Sequence, residues 1–203
     1  CLAEMNIQAL VIACNTATTY ALDTLQRAGD SVGIRVYGVI KPGIESALAV
    51  QNAHRIAVIG TPGTIAGGIY QNTIKQRRST MKVLGVPCPL FVPLAEEGWT
   101  HGEVPEKTAE IYLGHLKGKV DTVILGCTHY PLLKDVIQKV LPDVKLVDSA
   151  AAISERLKAT LPVTTGEQGT RSFFVTDHVS RFESIGTRFL GWKPEPIQWV
   201  DLG

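Results

Sequence analysis

Cys14 stands in the run Val11-Ile12-Ala13-Cys14-Asn15-Thr16, and Cys127 in the run Ile124-Leu125-Gly126-Cys127-Thr128-His129. In both, a short apolar segment of strand character gives way at the thiol to polar residues and then to helical spacing. This internal echo implies two copies of one device. In open α/β sheets, ligands sit at the carboxyl ends of strands, where helix N-termini offer free N–H groups and the positive end of the peptide dipole. Both thiols are therefore expected to face a ligand crevice, and the aligned dipoles are expected to lower the pKa of each. Each Cys would then serve as a base or nucleophile near neutral pH. Taken singly, a Cys after an apolar strand is most simply a buried small hydrophobe. The pairing argues otherwise, because Asn15, Thr16, Thr128 and His129 are poor core fillers. Cys88, between Pro87 and Pro89, has no such company and reads as structural, and Cys1 carries no signal.

His129 lies two residues past Cys127 and can shuttle protons to that thiol, its ordinary pKa being about 6.5; the plainer role is a helix cap. His54, His101, His115 and His178 have no comparable partner and read as loop or solvent residues. The turn Gly60-Thr61-Pro62-Gly63-Thr64 follows an apolar strand and can hold a carboxylate or phosphate with its N–H groups and hydroxyls. It lacks the Lys of a P-loop and the glycine spacing of a dinucleotide fingerprint, so nucleotide binding is disfavoured. Glu96-Glu97 follows the strand-like run Pro89-Leu90-Phe91-Val92-Pro93-Leu94, which makes one of the pair a site candidate rather than only a solvated surface charge. Trp99, Trp192 and Trp199 read as packing residues.

Short apolar runs at 10–13, 34–38, 55–59, 81–85, 122–125, 144–147, 172–176 and 197–200 alternate with helical spacing at 16–28, 43–52, 64–77, 105–116, 132–140, 150–160 and 179–190. This is the pattern of an α/β protein with mostly parallel strands. Pro105 fits a first helical turn, while Asp148-Ser149 and Thr176-Asp177 supply helix-capping oxygens. The 203 residues allow one large domain or two small ones. With 20 Lys+Arg against 19 Asp+Glu, no basic field for nucleic acid is present, and no apolar run approaches the roughly 20 residues that span a bilayer. Nucleic acid and membrane are thus not expected partners. The four cysteines have no paired spacing, so they read as cytoplasmic thiols rather than as a disulfide framework or a metal site.

The segments Ala13-Cys14-Asn15-Thr16-Ala17, Gly60-Thr61-Pro62-Gly63-Thr64-Ile65, Pro89-Leu90-Phe91-Val92-Pro93-Leu94 and Gly126-Cys127-Thr128-His129-Tyr130-Pro131 resemble, in that order, those of glutamate racemases. Phe174-Val175-Thr176-Asp177 and Arg188-Phe189-Leu190-Gly191 resemble that family's tail, so the likeness covers essentially the whole chain. One difference is large: the family begins with a strand carrying an Asp-Ser motif, followed by a Pro-Tyr-Gly segment, and neither precedes Cys14. The opening Cys1-Leu2-Ala3-Glu4-Met5, read as the second half of a helix, leads to the expectation that several tens of residues are missing upstream, among them the Asp that partners the first thiol.

The resemblance implies two pseudo-symmetric α/β domains with mostly parallel sheets, aspartate/glutamate racemase-like. It places the first domain at 1–38 plus 148–203 and the second at 39–147, with the active site between them. It further implies cofactor-independent interconversion of L- and D-glutamate, supplying D-glutamate for peptidoglycan synthesis. A racemase without a cofactor must take a weakly acidic α-proton from one face and return one to the other, and two thiols on opposite sides can do so without pyridoxal phosphate. By the resemblance, Cys14 exchanges the proton with D-glutamate and Cys127 with L-glutamate. Asn15, Thr16, Thr61, Thr128 and His129 bind substrate, His129 also assists Cys127, and Glu96 is a further catalytic candidate on that side. No cofactor or metal is expected, glutamate is the partner, and a homodimer stays open. Three other functions compete: racemisation of aspartate or a related acid, acyl transfer or amide hydrolysis with Cys127 as nucleophile and His129 as base, and a carboxylate-binding module without turnover. The second leaves Cys14 idle.

Overall fold

A computed structural model of the chain describes residues 2–161 and 169–201, so Cys1 lies outside it. In chain order the elements are β1 (Ala9–Ile12), α1 (Asn15–Val32), β2 (Arg35–Gly38), α2 (Ile40–Leu48), β3 (Arg55–Gly60), α3 (Pro62–Gly67), α4 (Ile69–Arg77), β4 (Lys82–Pro87) and α5 (Phe91–Glu96). They continue with α6 (Glu103–Leu113), β5 (Thr122–Gly126), α7 (Lys134–Val140), β6 (Lys145–Asp148), α8 (Ser149–Thr160), β7 (Phe173–Val175), α9 (Val179–Leu190) and β8 (Ile197–Trp199). Single 3-10 turns occupy Leu2–Met5, Gly114–Leu116 and Tyr130–Leu133.

The core is a parallel sheet in the order β4-β3-β5-β6. The central strands β3 and β5 are covered on both faces, which is why they read as continuous apolar runs. Successive side chains still sort by the pleat. Ile56, Val58 and Ile124 pack against Ile40 and Ile44 of α2 and Tyr70 and Ile74 of α4. Ala57, Ile59, Val123 and Leu125 pack against Phe91, Leu113, Leu133 and Ile137 on the other face. Each fully buried Ile, Leu or Phe contributes about 1.5–3 kcal/mol relative to exposure. Two smaller parallel pairs, β1-β2 and β7-β8, complete the mixed α/β architecture.

From β3 the chain steps outward to β4, and from β5 it steps the other way to β6, so the winding reverses between β3 and β5. A crevice opens at the carboxyl ends of strands at such a point. The register pairs Gly60 with Gly126 and with Pro87, which brings Thr61, Cys127 and Cys88 level just beyond the strand ends.

Several expectations need correction. The run 89–94 is not strand-like: Phe91–Glu96 is a helical turn and a half, with Glu96 its last residue. A short apolar run cannot be assigned by periodicity alone, and Pro93 sits in the first turn, where no intrahelical N–H is needed. The helical spacing of 64–77 is broken in two by Gly68, whose φ of 67° ends α3 and starts α4. Residues 40–43 are already helical, with Pro42 again in a first turn. Asp148 caps α8 as expected, accepting from Ala150 N at 2.8 Å, but α9 is entered at His178 without a side-chain cap from Thr176 or Asp177. The three tryptophans are exposed rather than core residues; Trp192 instead stacks under the Arg171 guanidinium.

Candidate active site

The first thiol is the N-cap of α1. Cys14 is extended (φ −78°, ψ 127°) and exposed, and its Sγ accepts from Ala17 N at 3.4 Å. Two residues on, Thr16 Oγ1 lies 2.8 Å from Thr61 Oγ1 and 3.0 Å from Thr64 Oγ1. Thr61 is itself the N-cap of α3, accepting from Thr64 N at 3.2 Å. The N-termini of two helices thus meet through three hydroxyls, a donor-rich corner suited to a carboxylate. The approach depends on Gly67, where an added Cβ would lie 2.2 Å from Thr19 Cγ2.

The second thiol follows β5. Cys127 is buried, with Sγ 3.8 Å from His129 Nδ1, and His129 Nε2 lies 3.1 Å from Glu96 Oε1. An ionised Glu96 accepts a proton-bearing Nε2–H, which leaves Nδ1 free to take the thiol proton. The predicted echo is incomplete here: a turn and the Tyr130–Leu133 3-10 segment separate Cys127 from α7. The lowered pKa expected for this thiol is also overturned. Burial pushes the Cys127 thiol up to about 11, outweighing the N–H groups of His129 and Tyr130, and nearby negative charge at Cys14 or Glu96 adds to the rise. Cys127 therefore rests as an acid and needs His129 to become a base.

Asn15 is only 2% exposed, and its amide is engaged within the protein. Tyr70 Oη donates to Asn15 Oδ1 at 2.6 Å, Asn15 Nδ2 reaches Ser149 Oγ at 3.5 Å, and Ser149 Oγ donates to Leu125 O at 3.0 Å. This line ties the helix that carries Cys14 to the strand that carries Cys127. Burial raises the Tyr70 hydroxyl's pKa, holding it in the donating form. Tyr70→Phe would strand a buried amide oxygen, with an expected loss of about 1–3 kcal/mol. Urea unfolding would show this as a lower midpoint at unchanged slope; an unmoved midpoint would mean that Asn15 finds another donor.

Of the sequence candidates, Thr16 and Thr61 are brought together, as are Cys127, His129 and Glu96. Thr128 is half-buried beside Cys127. Tyr70, Thr64 and Ser149 join the site beyond the sequence candidates; Thr64 carries a signal as the last residue of the 60–64 turn and Ser149 as half of a capping pair, while Tyr70 carries none. Cys88 is wholly buried, in keeping with its structural reading, and burial raises its thiol to about 12. Among the described residues, no group of three His, Cys, Asp or Glu side chains is placed to hold a metal ion, and no helix is long and apolar enough to cross a membrane.

Residues 2–157 match the Asp/Glu/Hydantoin racemase family. The chain is 46% identical to the glutamate racemase of Geobacter metallireducens over 99% of its own length and 76% of that protein. It is 45% identical to the Sulfurihydrogenibium enzyme of the same name, over 97% of this chain and 75% of the other. Among solved structures, glutamate racemase from Francisella tularensis in complex with D-glutamate superposes with a TM-score of 0.87 at 33% identity, covering 99% of this chain and 76% of that one. With a family match over most of its length and relatives at this identity, the chain belongs to the Asp/Glu/Hydantoin racemase family.

Proposed function

We propose that this chain interconverts L- and D-glutamate by a two-thiol, two-base reaction. The observation that carries the reading is the pair of thiols at strand carboxyl ends, one exposed at a helix N-cap and one backed by His129 and Glu96, joined through Asn15 and Ser149. The similarity to proteins named glutamate racemase supports glutamate over aspartate, and the D-glutamate bound in the Francisella enzyme supports the substrate. The setting proposed is the cytoplasm, with D-glutamate passing to peptidoglycan synthesis.

In the L-to-D direction the Cys127 proton first moves to His129 Nδ1, while Nε2–H stays donated to Glu96. The Cys127 thiolate then takes the α-proton, and the Cys14 thiol delivers a proton to the opposite face. In the D-to-L direction Cys14 is the base, and Cys127, already held as a thiol, is the acid. Thr16, Thr61 and Thr128 orient the substrate's carboxylates and ammonium group; Asn15, expected to share that role, is buried and holds the two half-sites together instead. Residues 39–147 are proposed as one domain and 1–38 with 148–203 as the other, so that opening and closing of the crevice accompany binding.

Incubation with L-glutamate should abolish its circular-dichroism signal and, in D2O, place deuterium at Cα without a released product. Product release would favour acyl transfer, glutamate binding without loss of optical activity would favour a binding module, and faster loss with aspartate would reassign the substrate.

A further inference from the structure

We infer that Arg181, on α9, is a positioning residue that holds the Cys127-side proton relay in its working geometry. This inference rests on the racemase reading and adds to it a group outside the two half-sites. Glu96 uses one carboxylate oxygen for His129, and its other oxygen, Oε2, accepts from Arg181 Nη2 at 2.9 Å. Arg188 donates to the main-chain oxygen of Glu96, its guanidinium lying against Gly98, where a Cβ would come within 3.2 Å of Arg188 Nε. Phe189 meets the His129 ring edge to face, with centroids 5.4 Å apart. Residues 181, 188 and 189 lie on one side of a helix, spaced by seven and eight. One face of α9 thus touches the carboxylate, the main chain and the imidazole of the same relay.

The contact is made by long side chains across a gap. A cavity of about 340 Å³, lined by residues that include Glu96, Arg181, Ser184 and Arg188, separates α9 from the end of α5. None of the α9 residues is buried, and toward the relay its apolar contact is the ring of Phe189 on His129. The Arg181 side chain is 65% exposed while that of Glu96 is 23% exposed. A pair exposed on one side contributes little to stability. Its consequence is orientation. With Oε2 held, Oε1 is aimed at His129 Nε2; that fixes the Nε2–H tautomer and leaves Nδ1 as the acceptor for the Cys127 proton. Without Arg181 the carboxylate is free to turn toward solvent, and the imidazole loses the group that selects its tautomer.

The test compares Arg181→Ala and Arg181→Lys with the unsubstituted chain. Arg181→Ala is expected to lower kcat/KM about tenfold, a fraction of what a positioned acid or base supplies. The signature is directional. Proton transfer at Cys127 becomes more rate-limiting, so the isotope effect on kcat/KM should rise with α-deuterated L-glutamate and fall toward unity with α-deuterated D-glutamate. Arg181→Lys, which keeps a cation on Glu96, should restore most of both. A second readout needs no turnover: alkylation of Cys127 by iodoacetamide at pH 8, followed by peptide mass spectrometry, should slow several-fold in Arg181→Ala and recover in Arg181→Lys. Isotope effects that stay put or move together, with Cys127 alkylation unchanged, would overturn the positioning role. If the unsubstituted intact protein shows no racemisation, the racemase reading falls, and the alkylation rates still decide whether Arg181 sets the state of Cys127.

Discussion

Cys14→Ser and Cys127→Ser each lower kcat/KM for glutamate racemisation by about 10³-fold or more, because a hydroxyl is a much weaker acid than a thiol and each thiol must act as both acid and base. The fold should hardly respond. Cys14 is exposed, and its capping bond to Ala17 N can be taken over by a serine oxygen, a good N-cap. At Cys127 the replacement hydroxyl has the His129 imidazole as a partner. Far-ultraviolet circular dichroism and urea midpoints should therefore stay near those of the unsubstituted chain while optical activity of the substrate persists. Loss of activity accompanied by unfolding would point to packing instead, and substantial activity in either variant would remove one thiol from the reaction.

His129→Asn removes the group that takes the Cys127 proton, and its effect follows from the buried thiol. Burial holds Cys127 as a thiol, up to about 11, so without the imidazole its thiolate forms only as the pH climbs toward that value. The raised pKa favours Cys127 as proton donor and disfavours it as base. The variant's kcat from L-glutamate should fall about 10²-fold near neutral pH and climb as the pH rises into the alkaline range. The kcat from D-glutamate, where Cys127 is the donor, should fall less. Because the enantiomers are equal in energy, the two kcat/KM values must still match, so the asymmetry lies in kcat and KM separately. Initial rates in both directions between pH 7 and 10 check this, and a pH profile parallel to that of the unsubstituted chain would return His129 to a capping role.

The β3 and β5 runs and the helices of 15–32 and 179–190 were legible because doubly covered strands and amphipathic helices imprint their periods on sequence. Phe91–Glu96 was not, since six mostly apolar residues with a proline among them fit a strand or a helix turn equally well. The echo of Cys14 and Cys127 exposed the chemistry, yet not its asymmetry. Whether a thiol at a strand end is exposed or buried depends on what is packed over it, here the layer that includes Phe91, Tyr130 and Leu133. Tyr70 bonds Asn15 across 55 residues and Arg181 bonds Glu96 across 85. Such long-range partners leave no local pattern, and only the folded chain brings them together.

The central claim is that the two thiols serve opposite faces of one substrate, and it is tested most directly by α-proton exchange in D2O with the single serine variants. Cys14→Ser keeps the Cys127 side and should exchange the α-proton of L-glutamate with retention while leaving D-glutamate untouched. Cys127→Ser should exchange D-glutamate and spare L-glutamate. Proton NMR of each enantiomer, with chiral separation of the product, reads both outcomes. Exchange of both enantiomers by the same single-thiol variant, or the same enantiomer exchanged by both variants, would contradict the account.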